Sequence, residues 1–172
     1  MNDFVIADPG KCIGCRTCEV ACVMAHEKDQ SLENLTVEKF YPRLRVVKTA
    51  KVTMPIQCHQ CEDAPCANAC ASKAIVQQGQ SVQVIQGMCI GCKACLLACP
   101  YGAMDLVLTA ALAEGDSKVE ALKCDLCHQQ DQGPACIRVC PTKALHKIGG
   151  SNIAEQVQNK RKRAALGAMN SK

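Results

Sequence analysis

Aromatic side chains are nearly missing from this chain. Its 172 residues include two Phe, two Tyr and no Trp. A domain of this length normally draws much of its core from aromatic rings, so something else must fill the interior. A long apolar run is missing as well. The longest nearly apolar window, 94–113, contains Cys95, Cys99, Pro100 and Asp105, which does not suit a membrane span. Met1-Asn2-Asp3-Phe4-Val5-Ile6 has neither the basic start nor the apolar stretch of a secretory signal, and no twin arginine. The expectation is a cytoplasmic protein without membrane insertion. No Gly-rich phosphate loop sits in a strand–helix context, and no Ser/His/Asp pattern is visible.

What the chain has is cysteine: sixteen, all in groups of four. Cys89, Cys92, Cys95 and Cys99 followed by Pro100 spell C-x2-C-x2-C-x3-C-P, the bacterial ferredoxin run for a [4Fe–4S] cluster. Cys12, Cys15, Cys18 and Cys22 repeat it, with Val23 in the proline position. Cys58, Cys61, Cys66 and Cys70 are wider in the middle, and Ala71 follows. Cys124 and Cys127 are separated by a loop from Cys136, Cys140 and Pro141. A disulfide framework belongs to secreted chains. Zinc would need two C-x2-C pairs without a third cysteine a few residues later. A triplet with a separated fourth cysteine is the iron–sulfur signature, and no thiol is left over as a nucleophile. Cluster binding and folding are then coupled.

The formal charge of +4 suggests an acidic partner until the cofactor is counted. An oxidised cluster with four thiolates carries about −2, so four of them bring the loaded chain to about −4. Nucleic acid is a poor partner, because no aromatic platform accompanies the basic residues.

Alternation and turn residues predict strands at Val5–Ala7, around Leu44 and Val46, and over 81–85, with turns at 77–80 and 114–117. Residues 23–27 read as a helix end carrying His26, either a surface residue or an accessory ligand. His59 and His128 each follow a motif cysteine, yet each motif already has four thiols. Arg16 and Lys93 share one repeat position, as surface charges or as cations favouring a reduced cluster. Leu106-Val107-Leu108 is apolar, and the loop 128–135 reads as exposed. Asn152 with Glu155 resembles a capping box opening a helix to about Leu166. Its Lys160-Arg161-Lys162-Arg163 cluster is either a solvated helix end or a dock for an acidic surface.

In two-cluster ferredoxins, which these runs resemble, the fourth cysteine of each run ligates the other cluster. That resemblance implies one cluster on Cys58, Cys61, Cys66 and Cys99, and a second on Cys89, Cys92, Cys95 and Cys70. The outer motifs then supply Cys12, Cys15, Cys18 and Cys140, and Cys124, Cys127, Cys136 and Cys22. Four self-contained motifs are the alternative. The expected fold is α+β: two pseudo-symmetric bacterial ferredoxin-like modules with two [4Fe–4S] clusters each. The first joins 1–22 to 124–150 and the second spans 58–104. Inserts occupy 23–57 and 105–123, and a C-terminal helix and tail occupy 151–172.

The motif order, the widened second motif and the long fourth loop resemble the iron–sulfur electron-transfer subunits of molybdopterin oxidoreductases, the type found in dimethyl sulfoxide reductase. The stretches 12–22, 60–68, Lys123-Cys124-Asp125-Leu126-Cys127 and Gly133-Pro134-Ala135-Cys136 are similar to one branch, the hydrogenase-linked electron-transport proteins and small iron–sulfur subunits of formate hydrogenlyase systems. The resemblance covers nearly the whole sequence. It implies four [4Fe–4S] clusters on all sixteen cysteines, in a soluble cytoplasmic subunit of anaerobic metabolism. It also implies partners: a molybdopterin catalytic subunit of formate dehydrogenase type, and a hydrogenase. Val23 and Ala71 depart from the family where a proline often follows the fourth cysteine, and this leaves the local turn geometry open. An assembly or maturation factor for such enzymes and a free-standing polyferredoxin are the alternatives.

Overall fold

Strand, motif, hairpin, motif, strand is an order that occurs twice along the chain. The computed structural model describes residues 1–27, 33, 35–110, 117–150 and 152–169. In the first half β1 (Phe4–Ala7) leads into the first motif, β2 (Leu44–Lys48) and β3 (Thr53–Gln57) form a hairpin, and β4 (Ile75–Gln78) follows the second motif. In the second half β5 (Ser81–Val84) leads into the third motif. The hairpin β6 (Asp105–Ala110) and β7 (Ser117–Leu122) comes next, and β8 (Leu145–Ile148) follows the fourth motif.

The halves interlock through their strands. β1 pairs antiparallel with β8, Phe4 opposite Ile148 and Ala7 opposite Leu145. β4 pairs antiparallel with β5 across Gly79 and Gln80, Ile75 opposite Val84. Gly79 has φ +59°, the left-handed conformation a two-residue hairpin loop demands. Each of these sheets therefore takes one strand from each half. Helix packing follows the same pairing: α1 (Thr17–His26) lies on α4 (Ala135–Arg138), and α2 (Pro65–Asn68) on α3 (Ala94–Ala98). One apolar cluster gathers Val5, Leu44, Val46 and Leu145 with cysteines of the first and fourth motifs and Cys58 packed against it, and a second gathers Ala74, Ile75, Val82 and Met104 with other cysteines of the second and third. Two-stranded sheets are marginal alone, so the thiol-rich cores between them carry the fold.

β1, β2 and β5 lie where the alternation placed them. Leu44 and Val46 of β2 are buried while Arg45 is exposed. β4 runs through Gln78, so the turn expected at 77–80 narrows to Gly79-Gln80. The turn expected at 114–117 lies, for residues 114–116, outside the described residues. α1 begins at Thr17 and continues to His26, past Cys22. Val23 is the reason: it supplies the backbone N–H that a proline lacks, and its side chain is buried. The capping box is not formed. The Asn152 side chain accepts from the Gly149 N–H at 2.8 Å and donates to the Lys147 carbonyl at 3.0 Å, turning back toward β8. α5 (Ile153–Met169) still starts there, and Lys160, Arg161, Lys162 and Arg163 are exposed on it. No helix among the described residues is long and apolar enough to cross a membrane.

Candidate metal centres

The cysteine loops depend on backbone conformations that recur between halves. Gly14 and Gly91 have φ +70° and +67°, and Arg16 and Lys93, two residues later, +61° and +67°. Arg16 and Lys93 each precede a helix from this left-handed position, and both are exposed. In the other two motifs Gln60 and Leu126 are left-handed at +51° and +61°, as are Lys73 and Lys143 at +55° and +50°. Non-glycine residues at positive φ are uncommon. Six of them at matched positions mean that the loops wrap around something that repays the strain.

Four small cavities lie inside these loops. Cys12, Cys15, Cys18 and Cys140 line one, with Ile13 and Pro55. Cys58, Cys61, Cys66 and Cys99 line the next, with His59 and Tyr101. Cys70, Cys89, Cys92 and Cys95 line the third. Cys22, Cys124, Cys127 and Cys136 line the fourth. Every cavity combines three cysteines of one motif with the last cysteine of another.

The chemistry of the donor set fits an anionic ligand shell around a cationic core. Burial pushes the Cys18 thiol up to about 11 and Cys124 up to about 12. Cys136 is also pushed up, by burial and then by Cys124 and Cys22 beside it. Clustered buried thiolates are unfavourable without a metal, which binds them only in deprotonated form. The fourth cysteines are prepared differently. Although burial works against it, the Ser72 hydroxyl and the Ala74 N–H (3.3 Å) lower the pKa of Cys70. Cys140 is lowered in the same way, against burial, by the Ala144 N–H at 3.2 Å and the Thr142 hydroxyl. The Arg43 N–H reaches Cys22 Sγ at 3.3 Å and the Ala103 N–H reaches Cys99 Sγ at 3.4 Å. None of the sixteen cysteines is joined in a disulfide.

The hairpins roof two of the loops. A Cβ on Gly14 would lie 2.7 Å from Thr53 Cγ2, and one on Gly91 2.8 Å from Val119 Cβ and 3.0 Å from its carbonyl oxygen. β3 and β7 therefore press on equivalent glycines. The sequence marked neither strand: Pro55 interrupts β3, and Ser117-Lys118-Val119-Glu120 has too few apolar residues for a clear alternation.

His26 is not a surface histidine. It borders the fourth cavity with both ring nitrogens engaged, Nδ1–H donating to the Cys22 carbonyl at 2.7 Å and Nε2–H to Asp125 at 3.0 Å. Burial opposes its charge, but Asp125 and then the Cys22 side chain outweigh that and raise its pKa to about 9. Asp125 also accepts from Arg43 at 2.5 Å and from the Cys127 N–H at 3.0 Å, and His128 Nδ1 lies 3.4 Å away. Its carboxyl stays well below the usual range despite burial, held there by His26 and Arg43. His59 stacks between Phe4 and Tyr101, with centroids 6.5 and 3.9 Å away and planes 10° and 4° apart.

These arrangements have known counterparts. Residues 49–149, more than half of the chain, match the 4Fe-4S dicluster domain. The chain is 47% identical to the electron transport protein HydN of Escherichia coli, over 96% of this chain and 99% of that one. It is 48% identical to the putative electron transport protein YsaA of the same organism, over 95% and 98%. Formate hydrogenlyase subunit 2 of E. coli is 39% identical, over 94% and 89%. With four thiol-lined cavities and relatives matched along nearly their whole length, the chain belongs to the 4Fe-4S dicluster domain family, as an iron–sulfur electron-transport protein.

Proposed function

We propose that the protein is a four-cluster electron relay, one [4Fe–4S] cluster to each cavity. Its ligand sets are Cys12/Cys15/Cys18/Cys140, Cys58/Cys61/Cys66/Cys99, Cys89/Cys92/Cys95/Cys70 and Cys124/Cys127/Cys136/Cys22. The observation that carries this reading is the exchange of last cysteines among the cavity linings, the pattern of two-cluster ferredoxins. The first and last segments, 1–22 and 124–150, form one ferredoxin-like module and 58–104 the other. A bound cluster supplies one-electron transfer at a potential set by nearby charge, hydrogen bonds and exposure. The chain's own residues place the thiols and aim backbone N–H groups at the fourth sulfurs.

The relay runs from a molybdopterin catalytic subunit of formate dehydrogenase type to a hydrogenase, in the cytoplasm. A relative named as a formate hydrogenlyase subunit supports a partner complex of this kind. The test is anaerobic purification of the tagged chain from its own host, with metal analysis of the assembly. Molybdenum or tungsten beside about 16 iron per chain, four for each site, is the expected result. Iron alone at that ratio, on a monomer, would replace the relay with a free carrier or an assembly factor. Zinc in place of iron would overturn the cluster reading itself.

A further inference from the structure

One buried charge sits where the two cysteine cores meet. Lys123 is 2% exposed. Its ammonium donates to the Cys124 carbonyl at 2.9 Å, to the Val82 carbonyl, and to Gln60 Oε1 at 3.4 Å. Three N–H groups meet three neutral acceptors, and among the described residues no carboxylate lies within ion-pair distance. The acceptors are themselves fixed. Gln60, 1% exposed, takes the Val82 N–H on Oε1 at 2.9 Å and gives its Nε2–H to the Cys124 carbonyl at 2.7 Å. Gln60 lies between Cys58 and Cys61, and Lys123 immediately precedes Cys124. The ammonium therefore stands between the Cys58 set and the Cys124 set, which belong to different cores.

The internal repeat supplies a comparison. The residue before Cys58 is Gln57, also buried, and it donates to the Val5 carbonyl at 2.8 Å. Val5 and Val82 hold matching places as second residues of β1 and β5. At the position where one half has a neutral amide, the other has a cation. A buried cation without a counter-ion is costly. Anionic cluster sites on either side are what would balance it.

We propose that Lys123 is a positioning residue for electron transfer: its charge raises the reduction potentials of the two clusters that flank it, leaving the outer two unaffected. The inference rests on the four-cluster reading above. A one-electron donor of the iron–sulfur or molybdopterin class makes a flanking site more negative by one charge, with no bond formed or broken. A fixed neighbouring cation favours that added charge.

The test is an EPR-monitored redox titration of the full, anaerobically purified protein, with signals assigned through Cys66→Ser and Cys136→Ser. In Lys123→Met, two of the four clusters should become harder to reduce by about tenfold, about 59 mV for a one-electron couple. Lys123→Arg should restore them. Iron content should equal that of the unsubstituted protein. Gln60→Glu sets a carboxylate beside the ammonium, with loss of the Nε2–H bond to the Cys124 carbonyl, and should lower the same two potentials. Unmoved potentials in iron-replete Lys123→Met, an equal shift of all four, or the same shift in Lys123→Arg would overturn the proposal. Loss of iron from both Lys123→Met and Gln60→Glu would assign Lys123 to folding alone and overturn it too. If the unsubstituted protein holds no [4Fe–4S] clusters, the four-cluster reading fails first, and that outcome is seen before any variant is made.

Discussion

The Arg43 guanidinium meets the Asp125 carboxylate at 2.5 Å, joining the segment just before β2 to the fourth cysteine motif 82 residues later. Asp125 also serves His26 and the Cys127 N–H. The contact thus ties the end of α1, the insert and the fourth cavity into one charged cluster with little exposure.

Removing that carboxylate strands two cations and a backbone donor. Asp125→Ala should cost about 3–5 kcal/mol, the range for breaking a buried pair from one side. It should also loosen the site of Cys22, Cys124, Cys127 and Cys136. Anaerobic denaturant titration measures the first effect, and iron analysis the second, with an expected loss of about four iron per chain. Full iron with unchanged stability would show that water replaces the carboxylate.

Gly91→Ala should destabilise more than Gly14→Ala. Both impose positive-φ strain of about 1–3 kcal/mol. At Gly91 the new methyl meets backbone, the Val119 carbonyl, as well as side chain, whereas at Gly14 it meets only the Thr53 methyl. Thr53→Ser should therefore relieve much of Gly14→Ala, while Val119→Ala should relieve Gly91→Ala only in part. Thermal melts of the iron-loaded variants decide the order.

Cysteine substitutions should group by cavity rather than by motif. Cys22→Ser and Cys136→Ser are expected to alter the same EPR signal, and Cys18→Ser and Cys140→Ser a different shared one. If Cys22→Ser instead alters the signal that Cys18→Ser alters, the motifs are self-contained.

Stripping the iron should unfold the protein. Cys18, Cys22, Cys66, Cys70, Cys95, Cys124, Cys127 and Cys136 are all buried, in cores flanked by two-stranded sheets. Anaerobic chelation after mild oxidation should abolish the far-UV circular dichroism of the strands and expose the protein to protease. Retained dichroism with no iron would mean that the hairpins fold on their own.

Much of the candidate site was legible because ligand spacing is local. Three thiols within seven residues, as at Cys89, Cys92 and Cys95, must turn around a common point wherever the loop sits. The β1 and β5 strands were legible from alternation. β3 and β7 were not, since what keeps them in place is close packing against Gly14 and Gly91 rather than a pattern of their own. His26 reads as a surface residue for a related reason: its partner Asp125 lies 99 residues away, and no local signal points to it.

By itself the sequence determined the chemistry: sixteen thiols in four groups, few aromatics to compete for the core, and glycines where the loops turn left-handed. Only the tertiary structure decided which thiols share a cavity. That depends on β1 reaching β8 and on β4 folding back on β5, the first of these a pairing of backbone hydrogen bonds between distant segments, which motif spacing does not encode. The same closure places Lys123 beside Gln60, so a charge that no local sequence pattern singles out lies buried between two cysteine cores.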